Sequence, residues 1–173
     1  MTGAPGVGKT TTLTKTLDIL IENGYSVGGM LSREVRKNGV RIGFEIIDLN
    51  SRKQGWLAQI NKTIGPRIGK YRVNLGDLKN IGVRSILNAV GTCGIVAIDE
   101  VGPMELLSQE FRDAVTVALK SDKLVIAIIH WKAEHKLITD MKSRMDAEIF
   151  EVTCENRDGI AEKIARKVAS RNT

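Results

Sequence analysis

The chain predicts a three-layer α/β fold, with a mainly parallel sheet held between two sets of helices. Three observations carry this expectation. Apolar runs and amphipathic stretches alternate for most of the 173 residues, the pattern of strands joined by crossover helices. The apolar runs at residues 95–98 and 124–129 are unbroken, as in strands buried on both faces. Near the start stands Gly3-Ala4-Pro5-Gly6-Val7-Gly8-Lys9-Thr10, a G-x-x-x-x-G-K-[ST] sequence that links a strand to a helix.

Residues 11–20 form the amphipathic helix that such a loop requires. A buried strand should precede the loop, yet only Met1 and Thr2 do so. A central strand of about five residues buries large side chains worth ~1.5–3 kcal/mol each, against a domain stability of ~5–15 kcal/mol. The expectation is a truncated first central strand, whose natural residues lie upstream of Met1. The alternative is that a neighbouring segment or another copy fills its place. Residues 25–31 then read as a strand. Residues 33–37 and 40–48 flank Asn38-Gly39, the dipeptide of tight hairpins. They make an antiparallel ribbon, residues 33–48, inserted in a single domain spanning 1–173.

Extended pieces follow at 56–60 and 71–75, then a helix over 76–90 with a possible break at Ile81-Gly82-Val83. After the strand at 95–98, Phe111, Ala114, Val115, Ala118 and Leu119 recur at helical spacing behind the cap candidate Ser108. The strand at 124–129 leads to a helix over 134–142 and a strand over 148–153. Asn156 is the expected cap of a last helix whose buried stripe is Ile160, Ile164 and Val168.

Composition narrows the function. No apolar run reaches membrane-span length and no leader precedes the loop, so the expected location is cytoplasmic. Cys93 and Cys154 lack metal-ligand spacing and read as reduced thiols. A net charge of +6 suits anionic substrates. The densest basic region, Arg157, Lys163, Arg166, Lys167 and Arg171 against Asp158 and Glu162, is explained by a solvated helix face. With 4% aromatics there is little to stack bases on, which argues against a nucleic-acid site.

The chemistry concentrates in two segments. In the loop, glycines let main-chain amides wrap phosphate oxygens at the head of a helix, where the dipole favours an anion. Lys9 supplies a charge for the β- and γ-phosphates, Thr10 a hydroxyl for Mg²⁺, and Thr11 continues the nucleotide-binding stretch. The second segment, Ile95-Val96-Ala97-Ile98-Asp99-Glu100, is an apolar strand ending in two carboxylates. Asp99 is placed to hold Mg²⁺ through water opposite Thr10, and Glu100 to take a proton from attacking water. His130 ends the next strand and should reach the same sheet edge. Arg144 is a candidate for neutralising transition-state charge, with Arg33, Arg36, Arg67 and Arg72 as rivals. Trp56 and Trp131 read as packing residues, and His135 has no assignment.

Further stretches make the chain resemble the cancer-related nucleoside-triphosphatase family and its thermophile homologues. They are Glu34-Val35-Arg36, Arg41-Ile42-Gly43-Phe44, Gly69-Lys70-Tyr71, Ile98-Asp99-Glu100-Val101-Gly102, Met104-Glu105-Leu106, and Val152-Thr153 with Glu155-Asn156-Arg157. They run from end to end in order. The resemblance implies Mg²⁺-dependent hydrolysis of ATP, GTP and other nucleoside triphosphates on a P-loop fold. It implies nucleotide contact by Gly3 to Thr10 and by Ile95 to Val101 and Gly102, with Glu100 as base. Asn156 and Arg157 would lie near the nucleobase, a capping and surface role being equally open. Pro103 stands where some relatives carry lysine, and Ser32-Arg33 replaces an expected threonine-acid pair. Two other readings share these motifs. A nucleotide or nucleoside kinase would need a mobile basic lid, and no arginine-rich lid stands out. A nucleotide-switched RNA-binding regulator would need clustered charge.

Overall fold

The computed structural model describes residues 1–170; Arg171 of the basic end lies outside the described residues. The chain runs α1 (Lys9–Glu22), β1 (Val27–Lys37), β2 (Val40–Asp48), β3 (Gln54–Gln59), β4 (Arg67–Ile68) and β5 (Tyr71–Val73). A helical arm follows: α2 (Leu75–Asp77), a π-helical stretch (Leu78–Val83) and α3 (Arg84–Thr92). Then come β6 (Ile95–Val101), a 3₁₀ turn (Glu105–Leu107), α4 (Gln109–Lys120), β7 (Leu124–Ile129), α5 (Lys136–Ser143) and α6 (Ile160–Ala169).

The sheet order is β4-β5-β3-β2-β1-β6-β7. Its core is parallel: β6 lies between β1 and β7, with Ile95 facing Val27 on one side and Leu124 on the other. On β6, Val96 and Ile98 pack with Met30, Ile46 and Phe111, while Ile95 and Ala97 pack with Leu13, Leu17 and Ile164. Alternate residues thus enter opposite cores, which is why the run shows no polar alternation. The helices of the α3–α4 side and of the α1–α6 side make the outer layers.

The antiparallel wing is larger than the ribbon at 33–48, because β3, β5 and β4 extend it. The expected strand at 25–31 and the first ribbon arm are one 11-residue strand, β1. Its first half pairs with β6 and its second half with β2, so no break is needed. Asn38 and Gly39 turn the hairpin with φ of 51° and 77°, as the dipeptide predicts. The expected break at residues 81–83 appears as the π-helical stretch. There Gly82 lies so close to Met30 that a Cβ would sit 2.6 Å from its Sδ.

Met1 and Thr2 take the place of a strand beside β7. Met1 N donates to Ala127 O (2.6 Å), and Met1 O accepts from Ile129 N (2.8 Å). On the other side Thr2 N donates to Phe150 O, and Val152 N donates to Thr2 O, both at 2.9 Å. This corrects the strand expected at 148–153: it is reduced to one parallel bridge, Thr2 to Glu151, since its neighbour offers too few residues for a ladder. A cavity of about 290 Å³ lies alongside, between β7 and residues 148–150.

Ser108 caps α4 as expected, accepting from Phe111 N at 3.2 Å. α5 starts at Lys136, because His135 Nδ1 accepts from Leu137 N (3.1 Å) and caps it. α6 starts after Gly159 and not after Asn156, whose side chain is engaged inside its own loop. Ile160, Ile164 and Val168 are buried as the stripe predicts. Cys93 is buried and Cys154 exposed, both free thiols. Among the described residues no helix is long and apolar enough to cross a membrane.

One position tests the sheet core. Gly29 has φ 121°, and a Cβ there would stand 2.1 Å from Ala97 O on β6. Gly29→Ala should destabilise the protein by about 3 kcal/mol or more, read as a lower urea midpoint. An unchanged midpoint would contradict this β1–β6 contact.

Candidate active site

The loop at residues 3–8 delivers its amides to the head of α1. Gly3, Gly6 and Gly8 take φ of 145°, 76° and 105°, a region closed to most side chains. Gly8 is the N-cap of α1, and its side-chain-free cap leaves the first-turn amides without a side-chain acceptor. The Lys9 ammonium arches back over the loop, donating to Gly3 O (3.0 Å) and Ala4 O (3.1 Å). Ala4 and Pro5 form the outer bend and Val7 is buried beneath it, while Thr10 and Thr11 are exposed.

β6 brings Asp99 to this helix head. Its carboxylate accepts from the Thr10 hydroxyl and from the Ser32 amide of β1. Asp99 is 1% exposed, and its Oδ2 is buried without a partner. Burial raises its pKa to about 7, offset in part by the Thr10 bond. An orphaned carboxylate oxygen beside a threonine hydroxyl is an oxygen donor set that a hard divalent cation satisfies. The residues present therefore fit the metal. Glu100, partly buried, follows through a cis peptide bond, and Val101 and Gly102 complete the segment.

The other candidates separate. His130 sits at the sheet edge as expected: its N donates to Val101 O (3.1 Å), and its Nδ1 accepts from Lys132 N (3.3 Å). In the neutral ring that leaves Nε2–H as a donor. Arg157 covers the loop, its Cδ 3.7 Å from where a Cβ of Gly8 would be. Asn156 does not face a base with a free amide, since Oδ1 accepts from Thr153 N (2.9 Å) and Nδ2 donates to Glu151 O (2.8 Å). Arg144 is engaged by a neighbouring acid. It holds Asp146 in two bonds and lines the cavity beside β7 with Lys123 and Lys167. Arg33 pairs with Glu45 and Arg36 with Glu34, while Arg67 and Arg72 bond loop carbonyls. Trp56 is partly buried, but Trp131 is 44% exposed with the Lys132 ammonium 5.0 Å from its ring centroid.

Sequence reasoning missed two contributors. The Ser32 amide reaches Asp99 only through the parallel register of β1 and β6. Glu105 is buried at 5% exposure beside the acidic pair, and burial raises its pKa to about 8. Its signal was faint, a lone acid inside Met104-Glu105-Leu106.

A family model described as NTPase matches residues 1–165. The chain belongs to the NTPase family. It is 44% identical over 171 residues to the nucleoside-triphosphatase THEP1 of Thermofilum pendens, covering 98% of this chain and 94% of that one. It is 46% identical over 168 residues to that of Methanosarcina acetivorans, covering 96% and 94%. Among solved structures it is similar to THEP1 from the hyperthermophile Aquifex aeolicus, with TM-score 0.84, 32% identity and 94% of each chain covered. The human cancer-related nucleoside triphosphatase gives 0.83 and 34%, covering 98% and 95%. The P-loop α/β fold expected from the sequence is thus the fold of this NTPase.

The raised carboxyls make NTPase stability depend on pH. Folded Asp99 and Glu105 bind protons more tightly than their usual values of 3.8 and 4.5 allow. The folded state therefore holds more protons than the unfolded state, and stability falls as pH rises. With chelator and no nucleotide, the unfolding temperature should decline between pH 4.5 and about 6, above which the buried Met1 ammonium, lowered to about 6 by burial, opposes the trend. A rise across that window would contradict the burial of these acids.

Proposed function

We propose that this NTPase hydrolyses the terminal phosphoanhydride of ATP, GTP and other nucleoside triphosphates, giving the diphosphate and inorganic phosphate, with Mg²⁺ as its metal. The observation that carries the reading is the Thr10–Asp99 pair at the head of α1, with Asp99 Oδ2 left partnerless in a buried site. Thr10, and Asp99 through water, would hold the metal. When bound, it supplies neutralisation of charge on the β- and γ-oxygens.

The chain's own groups do the rest. Main-chain N–H groups of the loop and of the first turn of α1, Pro5 offering none, hold the phosphates, and the Lys9 ammonium transfers part of its bonding from the Gly3 and Ala4 carbonyls to phosphate oxygens. Glu100 orients the attacking water and accepts its proton as the new P–O bond forms opposite the leaving diphosphate. His130 Nε2–H donates toward the γ-phosphate or that water. The Arg157 stem covers the loop on the nucleoside side, and Asn156 shapes the loop that carries it. Residues 95–102 otherwise serve by fixing the two acids. Arg144 has no part in this scheme, and a cytoplasmic location belongs to the same proposal.

The family members named above are called triphosphatases over nearly their whole length, which favours water over a kinase acceptor and over an RNA-binding switch. Phosphate release from the common triphosphates, with products identified, tests the reading. Release from ATP and GTP without acceptor is the expected result. Transfer of label from ATP to a nucleoside or its monophosphate in place of water would overturn it.

A further inference from the structure

Glu105 lies outside every role assigned so far, yet like Asp99 it is a buried acid of the site. It is 5% exposed, and among the described residues no cation pairs with it. The turn after β6 folds it back on the strand end. A Cβ built on Gly102 would be 2.8 Å from Glu100 Oε1 and 3.1 Å from Glu105 Oε2. The two carboxyl groups therefore converge on the space that Gly102 leaves by lacking a side chain. The Gly102 amide also donates to Glu105, which fixes the Glu105 carboxyl in place.

Buried acids without counter-ions retain a hydrogen, because the charged form loses its hydration. Two bare carboxylates this close would also repel each other, whereas one O–H between them attracts. The Glu105 carboxyl accepts from its own amide and from that of Gly102, and its Oε2 borders the same space at Gly102 as Glu100 Oε1. We propose that Glu105 is a positioning residue that hydrogen-bonds the Glu100 carboxyl and holds it toward the attacking water. It touches neither nucleotide nor water, and acts through Glu100. The inference rests on Glu100 being the base of the reaction proposed above.

Four substitutions in the full chain test it, each checked for ATP binding. Glu105→Met fills the same space without polar atoms, a change that buried acids often tolerate in folding. It should lower kcat for ATP by at least about tenfold with KM within about twofold. Glu105→Gln keeps an N–H donor at the same reach, and should be at least about fivefold faster than Glu105→Met. Glu105→Asp keeps the acid but withdraws it by a methylene. It should lose kcat like Glu105→Met, and carries the test if the methionine variant does not fold. In the Glu100→Gln background, Glu105→Met should cost less than about twofold more, because the effects share one target. A kcat loss below tenfold in both Glu105→Met and Glu105→Asp overturns the inference. So does no rescue by Glu105→Gln, or full additivity with Glu100→Gln. If Glu100→Gln alone turns over like wild type, the base assignment fails first, and the two failures are told apart.

Discussion

Glu100→Gln should bind nucleotide as the wild type does and lose turnover by at least ~10²-fold, the usual scale for a positioned acid or base. The substitution keeps size and hydrogen-bonding reach but removes the basic oxygen pair that accepts a proton. It leaves Asp99, Thr10 and the loop untouched, so the phosphates still find their amides. The loss should therefore appear in kcat with KM little changed. The sheet supports this expectation. Asp99 is fixed by Thr10 and Ser32, and Glu100 follows it directly at the strand end, partly open to solvent. Single-turnover phosphate release and equilibrium binding of labelled ATP measure the two quantities separately. Turnover at wild-type rate would remove Glu100 from the chemistry.

Lys9→Ala should weaken ATP binding by about 30–150-fold, the value of ~2–3 kcal/mol for hydrogen bonds to a charged group. Lys9 is only partly buried and its ammonium lies 3.0–3.1 Å from the Gly3 and Ala4 carbonyls. Removing it takes a cation from the phosphates and also a brace from the loop. The loop amides and the α1 dipole remain, so residual binding should persist and should fall with salt. Titration calorimetry at two ionic strengths reads both effects. Affinity equal to wild type would place the phosphates elsewhere.

The octapeptide was legible because its physics is local. Positive φ at Gly3, Gly6 and Gly8 and the helix start at Lys9 need only neighbours along the chain. The acidic pair was legible for a related reason, since an apolar run ending in carboxylates marks a strand tip. The β3, β4 and β5 strands were harder. They are six residues or shorter, mix glycine with arginine, and gain strand character by pairing with one another. Trp131 was misread because an aromatic side chain is usually buried, whereas this one lies in the loop after β7. Arg144 was placed by its position between a helix and a strand. Its bonds to Asp146 and its side of the sheet were not visible at that level.

Local sequence thus sufficed for the loop, the helix it opens, the hairpin turn at Asn38-Gly39 and the two buried strands. Each depends on backbone preference or on burial within one segment. Folding in three dimensions chose the rest: the Ser32 amide on Asp99, the orphaned Oδ2, the convergence of Glu105 on Glu100, and the shrinkage of the strand at 148–153 to one bridge. Those features arise where residues far apart in the chain meet, through sheet register and shared exclusion of water.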